Sequence, residues 1–182
     1  GLTPTEGTLE TAISYFKGIP APDGTTFASP IQSDAATCQK SFVVYVTDGL
    51  PSVNESGIEG DADALIPKVL DKLRALRNLG MTIGGKPYTY DIPTYIVGAG
   101  MTSEAKAKLD AMAVAGGTDV EGHAYYADNE TQLQNALDQI FTDIQANIYS
   151  FSLPSVSSVR LQDENYLYTA SFDPKASDPF WK

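Results

Sequence analysis

Two oxygen-bearing residues, Thr3 and Asp48, are expected at the edge of an α/β sheet where ligands bind. Asp48 follows an apolar, β-branched run at residues 42–46 and precedes Gly49, and Thr3 lies just before a helix predicted at residues 5–17. Ligands of open α/β sheets bind outside the carboxyl ends of the strands, so we expect Asp48 at that rim with the Thr3 hydroxyl near it. A carboxylate and a hydroxyl placed there suit a hard metal ion or its bound water.

Both residues also have a purely structural interpretation. A carboxylate at the position of Asp48 caps backbone N–H groups in the turn that ends a strand, and Thr3 is then a turn residue ahead of the helix. The sequence leaves both interpretations open.

Four further carboxylates crowd the loop that follows: Glu55, Glu59, Asp61 and Asp63. They lack the one-three-five oxygen spacing, followed by Glu at position twelve, that defines a calcium loop. We therefore expect a solvated loop that ends in a helix cap.

Catalytic patterns are missing from the sequence. His123 stands beside Tyr125 and Tyr126, but no nucleophile elbow, phosphate-binding loop or paired catalytic acid and base accompanies it. We expect His123 to be a strand residue at the margin of the sheet. Residues 98–100, Gly-Ala-Gly, lack the third glycine of the dinucleotide fingerprint. An enzyme is therefore not expected.

Composition and net charge exclude further functional classes. The 182 residues suit one ordinary domain, and 12 Lys plus Arg against 23 Asp plus Glu give a net charge of −11, which argues against a nucleic-acid surface or a polybasic anchor. The longest uncharged apolar run, residues 42–46, is far shorter than the roughly 20 residues of a membrane-spanning helix. One His and one Cys build no zinc cluster. Cys38 is either a buried small hydrophobe or the disulfide partner of a cysteine outside this chain.

Helical and strand periodicities alternate along most of the chain. Such alternation predicts an open, mostly parallel sheet with helices on both faces. The continuous apolarity of residues 42–46 predicts a strand buried on both faces. The second helix is expected to begin at Asp61 or Asp63 and to stop at Gly80. The predicted elements are helices at 5–17, 61–79, 103–115 and 129–148, and strands at 41–47, 92–97 and 123–126.

The end of the chain changes character. From residue 150 onward the pattern predicts two strands, at 156–161 and 166–172, around a polar turn. We expect residues 1–149 to form a partial α/β domain and residues 150–182 a β connector toward a following domain. Deleting residues 151–182 is then expected to leave the helical content of the rest intact.

The order of these pieces resembles the von Willebrand factor A domain. The resemblance rests on the Gly-x-Thr-Pro loop at residues 1–4, on Thr-Asp-Gly at 47–49 after an apolar strand, and on later similar segments at 95–100, 115–117 and 125–128. A narrower similarity, at residues 29–31, 38–42 and 90–95, is to the PilY family of type IV pilus biogenesis proteins and tip adhesins. The tail, residues 168–174 with Trp181, resembles the segment that joins this family's A domain to its β-propeller.

The resemblance implies a metal-ion-dependent adhesion site. In that family an Asp-x-Ser-x-Ser loop, a Thr and an Asp hold Mg²⁺ through oxygens and waters. Thr3 matches the second of these elements and Asp48 the third, but no Asp-x-Ser-x-Ser occurs in this sequence. The resemblance therefore implies a partial site, which would take Mg²⁺ or Ca²⁺ in the intact protein and bind neither tightly in this chain alone.

The same resemblance implies a function and partners. It implies a non-enzymatic adhesion or interaction module of a type IV pilus-associated protein, exported to the cell surface or beyond. The alternatives are a structural scaffold for pilus assembly and a doubly wound enzyme of the hydrolase type. Expected partners are pilus subunits or a host or surface ligand, with no nucleic acid and no membrane span. Because the family's first strand is missing on the N-terminal side, we expect the open side of strand 42–46 to be covered by an upstream half, a second polypeptide or another copy.

Overall fold

Nine helices and strands alternate along the part of the chain that the structure describes. The structure is a computed structural model, and it describes residues 2–31 and 39–148. The elements are α1 (Thr5–Lys17), β1 (Val43–Thr47), α2 (Ala62–Arg77), β2 (Leu79–Ile83), β3 (Lys86–Tyr90), β4 (Thr94–Ala99), α3 (Ser103–Gly116), β5 (Tyr125–Ala127) and α4 (Glu130–Ile148). Cys38, the predicted strands at 156–161 and 166–172, and the whole predicted connector at 150–182 lie outside these described residues.

Three parallel strands form an open sheet in the order β1-β4-β5. The register places Val43 opposite Thr94 at one end of β1 and Thr47 opposite Gly98 at the other. Strand β4 is therefore central, and β1 and β5 each have one neighbour among the described strands. The expected α/β class with a mostly parallel open sheet is confirmed.

Side chains of the central strand β4 point alternately to the two faces of the sheet, and helices pack against both faces. Ile96 of β4 packs into a core with α1, α2 and α3, whose buried residues include Leu9, Leu73 and Leu109. Tyr95 and Val97 point the other way and pack with α4 in a second core. This second core is small, with Tyr125, Ala136 and Ile140 as its other buried members. None of the described helices is long and apolar enough to cross a membrane.

Helix ends follow local capping chemistry. The Asp61 side chain accepts the backbone N–H of Asp63 at 3.2 Å and starts α2, which confirms the expected cap. The expected stop at Gly80 is wrong: α2 ends at Arg77, and Gly80 lies in β2. Helix α3 ends as expected, at Gly117 in the left-handed conformation (φ 70°).

A hairpin between α2 and β4 was not predicted. Strands β2 and β3 pair antiparallel around Gly84 and Gly85, whose φ values of 57° and 79° suit a tight two-residue turn. Leu79 and Tyr90 at the base of the hairpin are buried. The Gly84-Gly85 pair between two short alternating segments was the sequence evidence for a hairpin. It was overlooked because the predicted second helix, 61–79, extended to the start of β2.

The bounds of all three predicted strands and one burial prediction need correction, and β1 begins at Val43 instead of residue 41. Strand β4 begins at Thr94 instead of residue 92, and β5 covers 125–127 instead of 123–126. The strand predicted to be buried on both faces, β1, is only partly buried, and Val46 is 49% exposed. The reason is positional, because β1 lies at an edge of the described sheet. It is β4 that is buried along nearly its whole length.

Candidate functional site

Two loops meet at the carboxyl end of β1. The Ser52 hydroxyl accepts the backbone N–H of Thr3 at 2.7 Å, and the Ser52 N–H donates to the Thr3 carbonyl at 3.1 Å. These reciprocal bonds join residues 49 positions apart. They hold the segment before α1 against the loop that follows β1, and sequence reasoning did not find them because a lone serine in a loop carries no pattern.

Thr3 and Asp48 lie at the same rim of the sheet. Asp48 directly follows β1 and is exposed. The Thr3 hydroxyl lies 3.0 Å from the point that a Cβ on the next residue, Gly49, would occupy. Any side chain at position 49 would therefore displace the Thr3 hydroxyl. The structure thus brings the two sequence-predicted site residues into adjoining loops.

The turn after β1 is closed by Thr47. Its hydroxyl donates to the Gly49 carbonyl at 2.8 Å and accepts the Gly49 N–H at 3.2 Å. The structural role proposed for Asp48, closing this turn, is thus filled by the neighbouring Thr47.

Buried polar groups anchor the rim from below. Thr5 and Tyr45 share a hydrogen bond between their hydroxyls at 2.9 Å, which ties the start of α1 to β1. Glu6, only 4% exposed, accepts the Glu55 N–H at 3.3 Å. Its carboxylate lies in the first turn of α1, where the helix dipole favours negative charge. The start of α1 is therefore fixed both to the strand and to the loop after it.

Lys72 of α2 completes this anchoring. Its ammonium donates to Glu10 at 2.7 Å and to Glu55 at 2.8 Å. Burial lowers the pKa of Lys72, but the hydrogen bonds to the two carboxylates outweigh it and hold the pKa above its ordinary value. The hydrogen bond to Lys72 also lowers the pKa of Glu55. The pair of bridges links α1, α2 and the loop around residue 55.

The oxygens at the rim do not make a complete metal site by themselves. Thr3 and Asp48 offer two ligands, whereas Mg²⁺ takes six and Ca²⁺ six to eight. Within residues 2–31 and 39–148, no group of three or more His, Cys, Asp or Glu residues is arranged to hold an ion. Asp61 and Asp63 are engaged otherwise, Asp61 as the α2 cap and Asp63 with Lys108 at 2.6 Å.

A second polar cluster lies at the other side of the sheet and was not predicted. Asp110 of α3 accepts the Ala124 N–H at 2.8 Å and the Tyr126 hydroxyl at 2.5 Å, and its other oxygen lies 3.1 Å from Nδ1 of His123. The expectation that His123 is a strand residue is wrong, because it ends a tight turn paired with Val120 just before β5. Its partner Asp110 is 13 residues away, too far for a local pattern to reveal.

The tyrosines of β5 stay protonated in these surroundings. Burial and the nearby Asp143 carboxylate raise the pKa of Tyr125 to about 12. Burial and the hydrogen bond to Asp110 raise the pKa of Tyr126 well above its ordinary value. Both hydroxyls therefore act as hydrogen-bond donors at neutral pH.

Comparison with protein families, with curated proteins and with solved structures finds no match for this chain. The similarity to the von Willebrand A domain and to the PilY family therefore stays a prediction that rests on the residues named for it. The geometry at the two edges of the sheet carries the functional argument from here.

Proposed function

We propose that this chain is a non-enzymatic interaction module whose three-stranded sheet is completed along β1 by a strand from another polypeptide segment. The observation that carries the proposal is the position of β1, an apolar strand with a neighbour on one side only among the described strands. Apolar edge strands invite pairing, and proteins normally cover or blunt them. Strand β1 contains neither a proline nor a charged residue that would hinder pairing at this edge.

Backbone geometry identifies the groups that a covering strand would meet. The Val43 N–H donates to the Pro93 carbonyl at 2.9 Å, so the peptide groups of Val43 face β4. Successive residues of a strand direct their peptide groups to opposite edges. Val44 and Val46 therefore present their N–H and C=O groups to the free edge, and Tyr45 presents its own to β4.

The apolar surface beside this edge extends onto α4. Phe42 and Val44 are half-buried in the same core as Ile144, and Val46 is left 49% exposed. Phe141 and Ile148 lie on the flank of α4 that also carries Ile144, and they are 53% and 52% exposed. We call the surface formed by Phe42, Val44, Val46, Phe141 and Ile148 the β1–α4 groove. Its shape suits a strand beside β1 that is followed by a helix beside α4.

The resemblance gives this surface a biological reading. An A domain of the PilY type would be completed by its first strand, whose Asp-x-Ser-x-Ser loop would reach the rim that holds Thr3 and Asp48. Mg²⁺ or Ca²⁺ would then be held by those two residues together with oxygens of the added segment. On this reading the module is extracellular or at the cell surface and takes pilus subunits or a surface ligand as its partner. A scaffold role in pilus assembly is the second candidate, and it needs the completed sheet but no cation.

Residue-resolved amide hydrogen exchange tests the completed edge. We expect the Val44 and Val46 amides to exchange more slowly as the protein concentration rises, because a second copy of the chain covers the edge of β1 when no other strand does. The Val43 and Tyr45 amides serve as internal controls and stay protected at every concentration. A chain that sediments as a monomer at all concentrations, with Val44 and Val46 exchanging freely, refutes the proposal.

A further inference from the structure

A cleft whose lining is more apolar than polar, with polar side chains on its two walls, runs along the sheet edge opposite β1. It lies between the turn that precedes β5 and the N-terminal half of α4, and its volume is about 460 Å³, within the usual range of ligand pockets. We call it the β5 cleft. Its polar and rim residues are Val120, Glu121, His123, Gln132, Asn135 and Gln139.

One wall of the β5 cleft presents an oriented imidazole. The Asp110 carboxylate lies 3.1 Å from Nδ1 of His123 and also accepts the Ala124 N–H. Burial raises the pKa of Asp110, but hydrogen bonds from Tyr126, Ala124 and His123 outweigh it and keep the carboxylate ionised. The contact with Asp110 engages Nδ1 and orients the ring, so Nε2 is the ring nitrogen left for a ligand. The side chain of His123 is 68% exposed, which makes Nε2 available to a ligand.

The same wall holds a strained residue. Glu121 has a φ of 53°, and it is the only residue other than glycine with a positive φ in the described chain. Together with Gly122 it forms a two-residue turn between Val120 and His123, and the Asp119 carboxylate accepts the Gly122 N–H at 2.9 Å. Left-handed backbone is unfavourable at a residue other than glycine, and such residues cluster at binding sites. Here it places a carboxylate beside the mouth of the cleft.

The facing wall is a row of carboxamides. Gln132, Asn135 and Gln139 follow one another at three- and four-residue steps on one face of α4. The Gln132 oxygen accepts the Asp128 N–H at 2.6 Å, which leaves its NH₂ group as a donor. A carboxamide donates and accepts at the same time, which matches a hydroxyl group that does the same.

We infer that the β5 cleft binds a neutral polyhydroxylated ligand, a sugar unit. The two walls offer an imidazole, a carboxylate and three carboxamides at once, a mixed set of hydrogen-bonding groups that neighbouring hydroxyls satisfy. Among the described residues that line the cleft there is no Lys or Arg, and the chain carries a net charge of −11, so an anionic ligand is disfavoured. The Lys106 ammonium lies over the Tyr126 ring, 4.8 Å from the ring centroid. The inference does not depend on the β1–α4 groove.

The test is NMR titration of the whole chain with three probes: methyl β-galactoside, methyl α-mannoside and N-acetylglucosamine. At least one probe is expected to shift the side-chain amide signals of Asn135 and Gln139 saturably, with a dissociation constant of about 1 mM or tighter. Gln139→Ala is expected to weaken that binding about fivefold or more. Gln145→Ala removes an exposed carboxamide from the same helix outside the cleft, and it is expected to leave binding unchanged.

Three outcomes overturn the inference. One is the absence of any saturable shift with all three probes, and another is an equal loss of binding in the Gln139→Ala and Gln145→Ala variants. The third is binding of an unmodified extended peptide at the 125–127 backbone amides with no response to sugars, which would make the cleft a strand-pairing edge. As a control, both variants are expected to unfold on heating at the same temperature as the wild type. Equal unfolding temperatures show that a difference in binding does not come from unfolding.

Discussion

Replacing Val46 by Lys tests whether the β1–α4 groove is an interface. Val46 is 49% exposed, and its backbone groups face the free edge of β1, so the substitution perturbs the surface and not the core. Lysine at an edge strand is a common device that prevents pairing. We therefore expect Val46→Lys to weaken the self-association of the chain without lowering its unfolding temperature.

The expected loss of association free energy follows from the exposed half of the Val46 side chain. Complete burial of a valine contributes about 1.5–3 kcal/mol, so burying the remaining half contributes about 1 kcal/mol. Two copies that pair through β1 each contribute one Val46, which doubles the loss to about 2 kcal/mol. That corresponds to a dissociation constant about 30-fold weaker, before any cost of placing an ammonium in the groove is counted.

Sedimentation equilibrium of the wild type and two variants measures this change. The control is Val114→Lys, which makes the same change of charge on α3 at a residue that is 55% exposed. We expect the control to associate like the wild type. Equal dissociation constants for the two variants would show that the change acts through net charge, and the interface argument would then fail.

Three further outcomes are expected. Gly116→Ala should lower the free energy of unfolding, measured in urea, by about 1–3 kcal/mol, because the added Cβ would lie 2.4 Å from the Thr94 carbonyl oxygen. The control Gly80→Ala adds a Cβ that meets nothing within 4 Å and should be neutral. Equal effects of the two substitutions would contradict this packing. Asp110→Asn should reduce stability above pH about 4, because the lowered pKa of Asp110 stabilises the fold fully once the unfolded-state carboxyl is ionised. This effect should fade as the pH falls from there through the lower pKa of the folded state, and a constant difference across a pH series would contradict it. Calorimetric titration with Mg²⁺ should give a dissociation constant weaker than about 1 mM for this chain alone, and tighter binding would mean that the rim holds more ligands than Thr3 and Asp48.

Local sequence patterns predicted the features that depend on neighbours along the chain. The bounds of α1 at Thr5–Lys17, the Asp61 cap and the Gly117 stop follow from periodicity and capping chemistry within a few residues. The parallel sheet followed from the alternation of elements. The meeting of Thr3 and Asp48 at one rim followed from the rule that loops at the carboxyl ends of parallel strands converge.

Features that depend on distant residues were not predictable in the same way. The apolarity of β1 shows that the strand favours burial, but it does not show what buries it. The open side of this strand was expected only from the resemblance, and the strand order now places β1 at an edge of the described sheet. The link between Asp110 and His123 joins α3 to a turn 13 residues later. His123 stands out as the one His of the sequence, but its partner Asp110 does not, because a single Asp on a helix usually faces solvent.

Helix α4 gives the two sheet edges opposite chemistry. Its Ala136 and Ile140 are buried against Tyr95, Val97 and Tyr125, so the helix lies over β4 and β5 and has a flank on each side. The flank toward β5 carries the carboxamides of the β5 cleft, and the other carries Phe141 and Ile148. An apolar flank suits a polypeptide partner, whose strand and helix bury surface, whereas a carboxamide flank suits hydroxyl groups, which need hydrogen bonds. The same small core holds both flanks in place, so the two proposed binding surfaces share one source of rigidity.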